Sequence, residues 1–201
     1  MDRYKVPAHE AVGKLTVKGS KFISHIFPVS SKEEAESRYE AIKKRYYDAT
    51  HNCFAYRIDA QTYRYSDDGE PSGTAGRPIF QVLEGSELFE ALCVVTRYFG
   101  GTKLGTGGLI RAYSEAAKEA LKQLKIKEKI RTRIVELKID YANEQHVYRL
   151  LSQFEGKTLQ SDYSNGVSIQ VELPWSAAES FLNKLTDLTH GQYELIKISG
   201  N

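Results

Sequence analysis

Hydrophobic and polar positions along this 201-residue chain fall into two successive patterns. Between Glu10 and Val29 the apolar residues Val12, Leu15, Val17, Phe22, Ile23, Ile26 and Phe27 alternate imperfectly around Gly19-Ser20. That pattern predicts two twisted or bulged strands. Ser31 and Glu34 then make a capping box, and Ala35, Tyr39, Ile42 and Tyr46 share one face of the helix that follows. HNCFAYRIDA reads as a strand, with Tyr63 to Tyr65 returning from it. Arg77 to Leu83 read as a short helix with Pro78 in its first turn. Ala91 to Phe99 is a buried strand, and a long helix runs from Thr106, taken as its N-cap, through Leu124.

The second pattern is cleaner. Val135, Leu137, Ile139 and Tyr141 alternate along a strand, and Val147, Leu150, Leu151 and Phe154 recur at helical spacing. Thr158 to Tyr163 and Val167 to Leu173 read as strands joined through Ser164-Asn165-Gly166, since Asn-Gly favours a tight hairpin. A helix predicted from Pro174 carries Ala177, Ala178, Phe181, Leu182 and Leu185, and Tyr193 to Ile198 form a last strand. The order β-α-β-β-α-β is that of a ferredoxin-like split arrangement with one sheet face left open. Between the two patterns lie Lys122, Lys125, Lys127, Lys129, Arg131 and Arg133, opposed mainly by Glu128. This run predicts a boundary between domains spanning residues 1–130 and 131–201.

Composition narrows the function classes. A hydrophobic fraction of 41% with 27% charged residues is that of a soluble globular protein. The net charge of +2 makes nucleic-acid binding a matter of local clustering. No stretch reaches the length of a membrane helix, and the charged N-terminus lacks a signal sequence's apolar segment, so a cytoplasmic protein is expected. Cys53 and Cys93 are too few for a disulfide framework.

Chemistry concentrates between Ser66 and Ser114. SDDGEPSGTAGRPI opens the stretch, LCVVTRYF crosses its buried strand, and GGTKLGTGGLIRAYS leads into the long helix. Gly100, Gly101, Gly105, Thr106, Gly107 and Gly108 put backbone N–H groups at a helix start, where the dipole favours anions. Arg97, Lys103 and Arg111 flank them. The spacing matches neither a Walker A loop nor a dinucleotide-binding turn. Asp67, Asp68 and Glu70 form an acidic loop that either holds a divalent cation or caps local backbone, and its spacing is not that of an EF-hand. His51 and Cys53 lack the further ligands of a zinc site, and there is no G-x-S-x-G elbow. No catalytic residue is assigned.

SDDGEPSGTAGRPI together with VVTRYFGGTKLGTGGLIRAYSEA, preceded by THNCFAY, closely resembles the YigZ/IMPACT family. The resemblance implies an α+β chain in two parts. The first is similar to the second domain of ribosomal protein S5, and the second to the ferredoxin-like fifth domain of elongation factor G. It implies a translation-associated protein that binds RNA or the ribosome, or a protein of the translation machinery, with no resident cofactor. Eukaryotic members are linked to translational control under amino-acid stress. The S5-like fold also occurs in small-molecule kinases. The alternative is therefore an enzyme or sensor for a small phosphorylated metabolite or nucleotide, with Mg²⁺ held by Asp67, Asp68 or Glu70.

Overall fold

A computed structural model describes residues 2–164 and 166–200. It divides into two compact units: Lys5–Glu128, and the residues from Lys129 onward together with the chain's first residues to Tyr4.

The first unit is built on a five-stranded antiparallel sheet of β2 (Ala11–Val17), β3 (Ser20–Pro28), β6 (Ala91–Tyr98), β4 (His51–Arg57) and β5 (Tyr63–Ser66), in that spatial order. Alternation along the strands makes two cores. Phe27, Phe54, Tyr56, Leu92 and Val94 face α1 (Lys32–Arg45), whereas Phe22, Ile26, Cys53, Ala55, Cys93 and Val95 face α2 (Gly76–Gly85) and α3 (Thr106–Lys122). The small side chains Ala116, Ala117 and Ala120 let α3 lie close to the sheet. At Gly13 the approach is so close that a Cβ would overlap the backbone of Ala120.

Two strands escape the hydrophobic pattern. β1 (Arg3–Pro7) and β7 (Ile126–Ile130) pair as a two-stranded ribbon, so part of the basic run is strand rather than connection. Each is only five residues long, and β7 carries Lys127, Glu128 and Lys129 in succession, so neither run is long enough to declare a period-two signal. Ser31 caps α1 as expected, accepting from the Glu34 N–H at 3.2 Å. The Glu34 carboxylate closes on the N–H of Ser30 instead of Ser31, at 2.8 Å.

The second unit has the order β8 (Thr132–Ile139), α4 (Glu144–Gln153), β9 (Lys157–Asp162), β10 (Val167–Pro174), α5 (Ala178–Thr189), β11 (Tyr193–Gly200). Its antiparallel sheet runs β11-β8-β10-β9. Val135, Leu137, Ile139, Val167, Ile169, Val171 and Leu173 form the inner face, against Val147, Leu150, Phe181 and Leu185 of the helices. Pro174 ends β10, and α5 starts four residues later than expected. A proline satisfies the last strand position as readily as a helix start, because neither needs its missing N–H. Tyr141 lies beyond β8 and is exposed. Asn165, the predicted hairpin residue, lies outside the described residues. Among the described residues no helix is long and apolar enough to cross a membrane.

Candidate functional site

β4 and β6 are neighbours, and they bring both glycine-rich segments to one end of the sheet. His51 pairs with Arg97, and β6 then runs out into the loop before α3. The acidic loop between β5 and α2 folds over the same end. Each of its carboxylates is engaged within the protein. Asp67 accepts from the N–H groups of Gly73, Ala75 and Gly76 at 2.8, 2.9 and 2.8 Å, which caps α2 from a distance. Asp68 accepts from the Asn52 N–H at 2.6 Å, and its carbonyl accepts from His51 Nδ1–H at 2.7 Å. Glu70 is buried, and its Oε1 accepts from Arg97 Nη1 and from the Tyr113 hydroxyl, both at 2.6 Å.

Arg97 is therefore not a cation at the loop's rim, as its place in the sequence suggested. It is only 6% exposed, paired to Glu70, and flanked by the rings of Phe22 and Phe99. Its Nε is buried without a hydrogen-bond partner among the described residues. Asp67, Asp68 and Glu70 are likewise not a free carboxylate set, and no group of three His, Cys, Asp or Glu disposed to hold a metal occurs among the described residues. Burial holds the Tyr113 phenol far above its ordinary pKa, with Cys53 and Glu70 adding to the effect. The Cys53 thiol, which donates to the Asp67 carbonyl at 3.0 Å, is raised by burial as well. Burial pushes Cys93 up to about 12. Both thiols stay protonated at neutral pH and are poor nucleophiles.

The glycine loop is organised differently. Its first two amides are used internally: Phe99 N–H donates to Thr50 Oγ1 at 2.9 Å, and Gly100 N–H to Ser20 Oγ at 3.1 Å. Gly100 is a packing glycine, since a Cβ would overlap the backbone at Gly19 and Ser20. From Gly101 to Gly108, no backbone N–H finds a partner among the described residues. The N-cap of α3 is Gly105, at φ 70°, and not Thr106; no side chain caps the helix. A left-handed N-cap needs glycine, which displaces the expected threonine into the first helical turn. Gly101 and Gly105 face open space, a Cβ at Gly107 would meet only Arg111 Nη1, and Gly108 abuts Leu104. Lys103 and Arg111 are exposed, and neither is ion-paired among the described residues.

The contact of Gly19 with Gly100 adds a cation that sequence reasoning missed. It sets the β2–β3 turn against the loop, and the turn carries exposed Lys18. Lys18 and Arg111 line one groove. Tyr113 was also missed as a polar residue. Its position on an apolar helical face is the signal, because a buried phenol needs a partner. The basic run supplies less than its composition suggests: Lys122 pairs with Glu119 at 2.6 Å, and Arg133 stacks on Trp175.

The sequence of these loops has relatives. The family model for the Impact N-terminal domain matches residues 18–121, which contain both loops and the strand between them. This chain belongs to the IMPACT family. A second model, a domain of unknown function called DUF1949, matches residues 137–192. IMPACT family member YigZ of Escherichia coli is 36% identical over 202 residues, covering 98% of this chain and 99% of that protein. IMPACT family member YvyE of Bacillus subtilis is 36% identical over 90% of this chain and 85% of its own. Protein IMPACT of Oryctolagus cuniculus is 31% identical over 96 residues, which are 30% of that protein. A solved structure described as a hypothetical protein superposes with a TM-score of 0.70 at 35% identity, covering 99% of this chain and 98% of that one. The IMPACT chain is thus a two-domain α/β protein, and its Impact N-terminal match spans both loops.

Proposed function

We propose that this IMPACT family member is a cytoplasmic, translation-associated protein that binds ribosomal RNA through the loop before α3. The observation that carries this reading is the run of N–H groups from Gly101 to Gly108, unpartnered among the described residues and rimmed by Lys18, Lys103 and Arg111. Backbone donors at a helix start with unpaired cations beside them suit phosphate oxygens. Open glycines let a backbone as bulky as RNA approach closely. The second unit's β-α-β-β-α-β order and its sheet β11-β8-β10-β9 support the reading, since the family resemblance implies a ferredoxin-like domain similar to the fifth domain of elongation factor G. The similarity to the second domain of ribosomal protein S5 that the family resemblance implies for the first unit points the same way, by analogy of fold.

The acids of the neighbouring loop are engaged with Arg97, Tyr113 and backbone amides, so a Mg²⁺-dependent site for a phosphorylated metabolite would have to disrupt them. The test is filter binding to ribosomes and ribosomal RNA fragments. Three phosphate contacts should cost on the order of twenty- to forty-fold in affinity between about 50 and 200 mM salt. Lys103→Glu with Arg111→Glu should lower affinity at least about ten-fold, since each substitution replaces an attraction to phosphate with a repulsion. No binding at low salt, or binding indifferent to the double substitution, overturns the reading. A thermal shift with nucleotides and Mg²⁺, in a protein that ignores RNA, would assign the loop to a small phosphorylated ligand.

A further inference from the structure

A groove of about 270 Å³ opens between β2 and α3 of the first unit. The strand and helix touch backbone to backbone at Gly13 and Ala120. Toward the other end, Leu15 and Val17 meet Leu104 and the stripe Gly108, Arg111, Ala112, Glu115 of the helix. No apolar side chain larger than alanine's comes from that flank of α3, so Leu15 and Val17 stay half-buried along an open wedge. Left alone, such apolar surface is a loss of burial that a partner can recover.

β2 is also an edge strand. Its turn to β3 has φ 46° at Lys18 and 81° at Gly19, a two-residue hairpin of the I′ kind closing Val17 on Ser20. Hydrogen-bonded pairs alternate from such a closing pair, so Val17, Leu15 and Gly13 bond to β3 while Thr16 and Lys14 turn their N–H and C=O outward. Among the described residues these outward groups have no other backbone partner. Exposed Lys14, Lys18 and Arg111 stand along this edge, with no ion pair among the described residues. The acids opposite are already paired on their own helix, Glu115 to Lys118 at 2.8 Å and Glu119 to Lys122 at 2.6 Å.

We propose that this edge docks an extended acidic segment of a partner protein, which adds to β2 as a further strand. The segment's backbone takes the outward groups of Lys14 and Thr16, an aliphatic side chain fills the wedge over Leu15 and Val17, and flanking carboxylates meet Lys14, Lys18 and Arg111. Strand addition of this kind draws affinity from main-chain bonds and specificity from the side-chain pocket. The edge without charge-matched residues would be an aggregation hazard, and its lysines select against all but an acidic strand. The inference does not rest on RNA binding. Lys18 and Arg111 lie at both surfaces and are left unchanged in the test.

The experiment titrates the isotope-labelled full chain with a pool of eight-residue peptides alternating Asp or Glu with Val, Ile or Leu. A matched pool with Lys or Arg at the acidic positions is the control. Amide shifts should centre on Lys14–Val17 and Gly108–Glu115, with the acidic pool at least about ten-fold tighter, because the rim is cationic. Thr16→Pro removes one outward N–H and no ladder bond, so the spectrum of the sheet should persist while affinity falls at least about ten-fold. Lys14→Glu, at an exposed residue outside the glycine loop's rim, should weaken the acidic pool and improve the basic one. Absence of acidic-peptide binding overturns the proposal, as does binding that both substituted proteins retain. So does an RNA fragment that shifts Lys14–Val17 where the acidic peptides do not.

Discussion

The two glycine-rich loops of the first unit each lead into a helix, yet they resolve the helix start in opposite ways. Before α2, the Asp67 carboxylate reaches the N–H groups of Gly73, Ala75 and Gly76, and Glu70 is locked to Arg97 and Tyr113. Before α3, no side chain caps, and among the described residues the amides from Gly101 to Gly108 are left over and the cations nearby are unpaired. The first loop is complete in itself and the second is not. Unsatisfied donors are best tolerated where water or a ligand can reach them, so the proposed binding is assigned to the second loop, while the first contributes to fold stability.

The strongest way to break this contrast is to remove one carboxylate. Glu70→Ala leaves the Arg97 guanidinium buried without its counter-ion, which should destabilise by about 3–5 kcal/mol. Lys103→Glu, on an exposed unpaired residue of the other loop, should change stability by no more than about 0.5 kcal/mol. Urea unfolding of the two proteins checks both, and comparable losses would erase the distinction. Asp67→Ala comes next. It orphans three backbone donors around the start of α2 and should cost about 2–3 kcal/mol, read as a lowered midpoint in thermal or urea unfolding. A loss below about 0.5 kcal/mol would mean that water replaces the carboxylate and that the acidic loop is as open as its neighbour.

The smallest effect sharpens the comparison within the second loop. A Cβ at Gly107 meets only Arg111 Nη1, at 3.9 Å, so Gly107→Ala should stabilise α3 by about 0.5–1 kcal/mol. At Gly100 the same change collides with backbone and should destabilise the protein. If Gly107 is kept glycine by close approach of a phosphate backbone, the alanine protein will be more stable and bind RNA several-fold more weakly. Equal binding would assign Gly107 no contact.

Much of the fold was legible from apolar spacing. Leu109, Ala112, Tyr113, Ala116 and Ala120 announce α3, and Val135, Leu137 and Ile139 announce β8, because one buried face imposes its period on the sequence. β1 and β7 were not legible, since each is only five residues long and too short to establish such a period. The start of α3 was misread by one residue, because Thr106 is the better cap by type and only the backbone angle at Gly105 excludes it. The loops themselves were legible as the place where chemistry concentrates. The division of labour between them was not. Arg97 and Glu70 are 27 residues apart and meet through sheet pairing, which turns an expected ligand-facing arginine into a buried partner. Gly100 and Gly101 look alike in sequence, yet one is pressed against Gly19 and the other faces open space, a difference made by a hairpin eighty residues earlier.

The most direct test of the contrast is an amide map of the full chain titrated with a ribosomal RNA fragment at about 50 mM salt, where phosphate contacts are strong. The amides of Gly101, Thr102, Gly105, Gly107 and Gly108 should shift or broaden, and those of Gly73, Ala75 and Gly76 should not move. Shifts centred on the acidic loop, or a glycine loop that stays silent while RNA binds, would contradict the account.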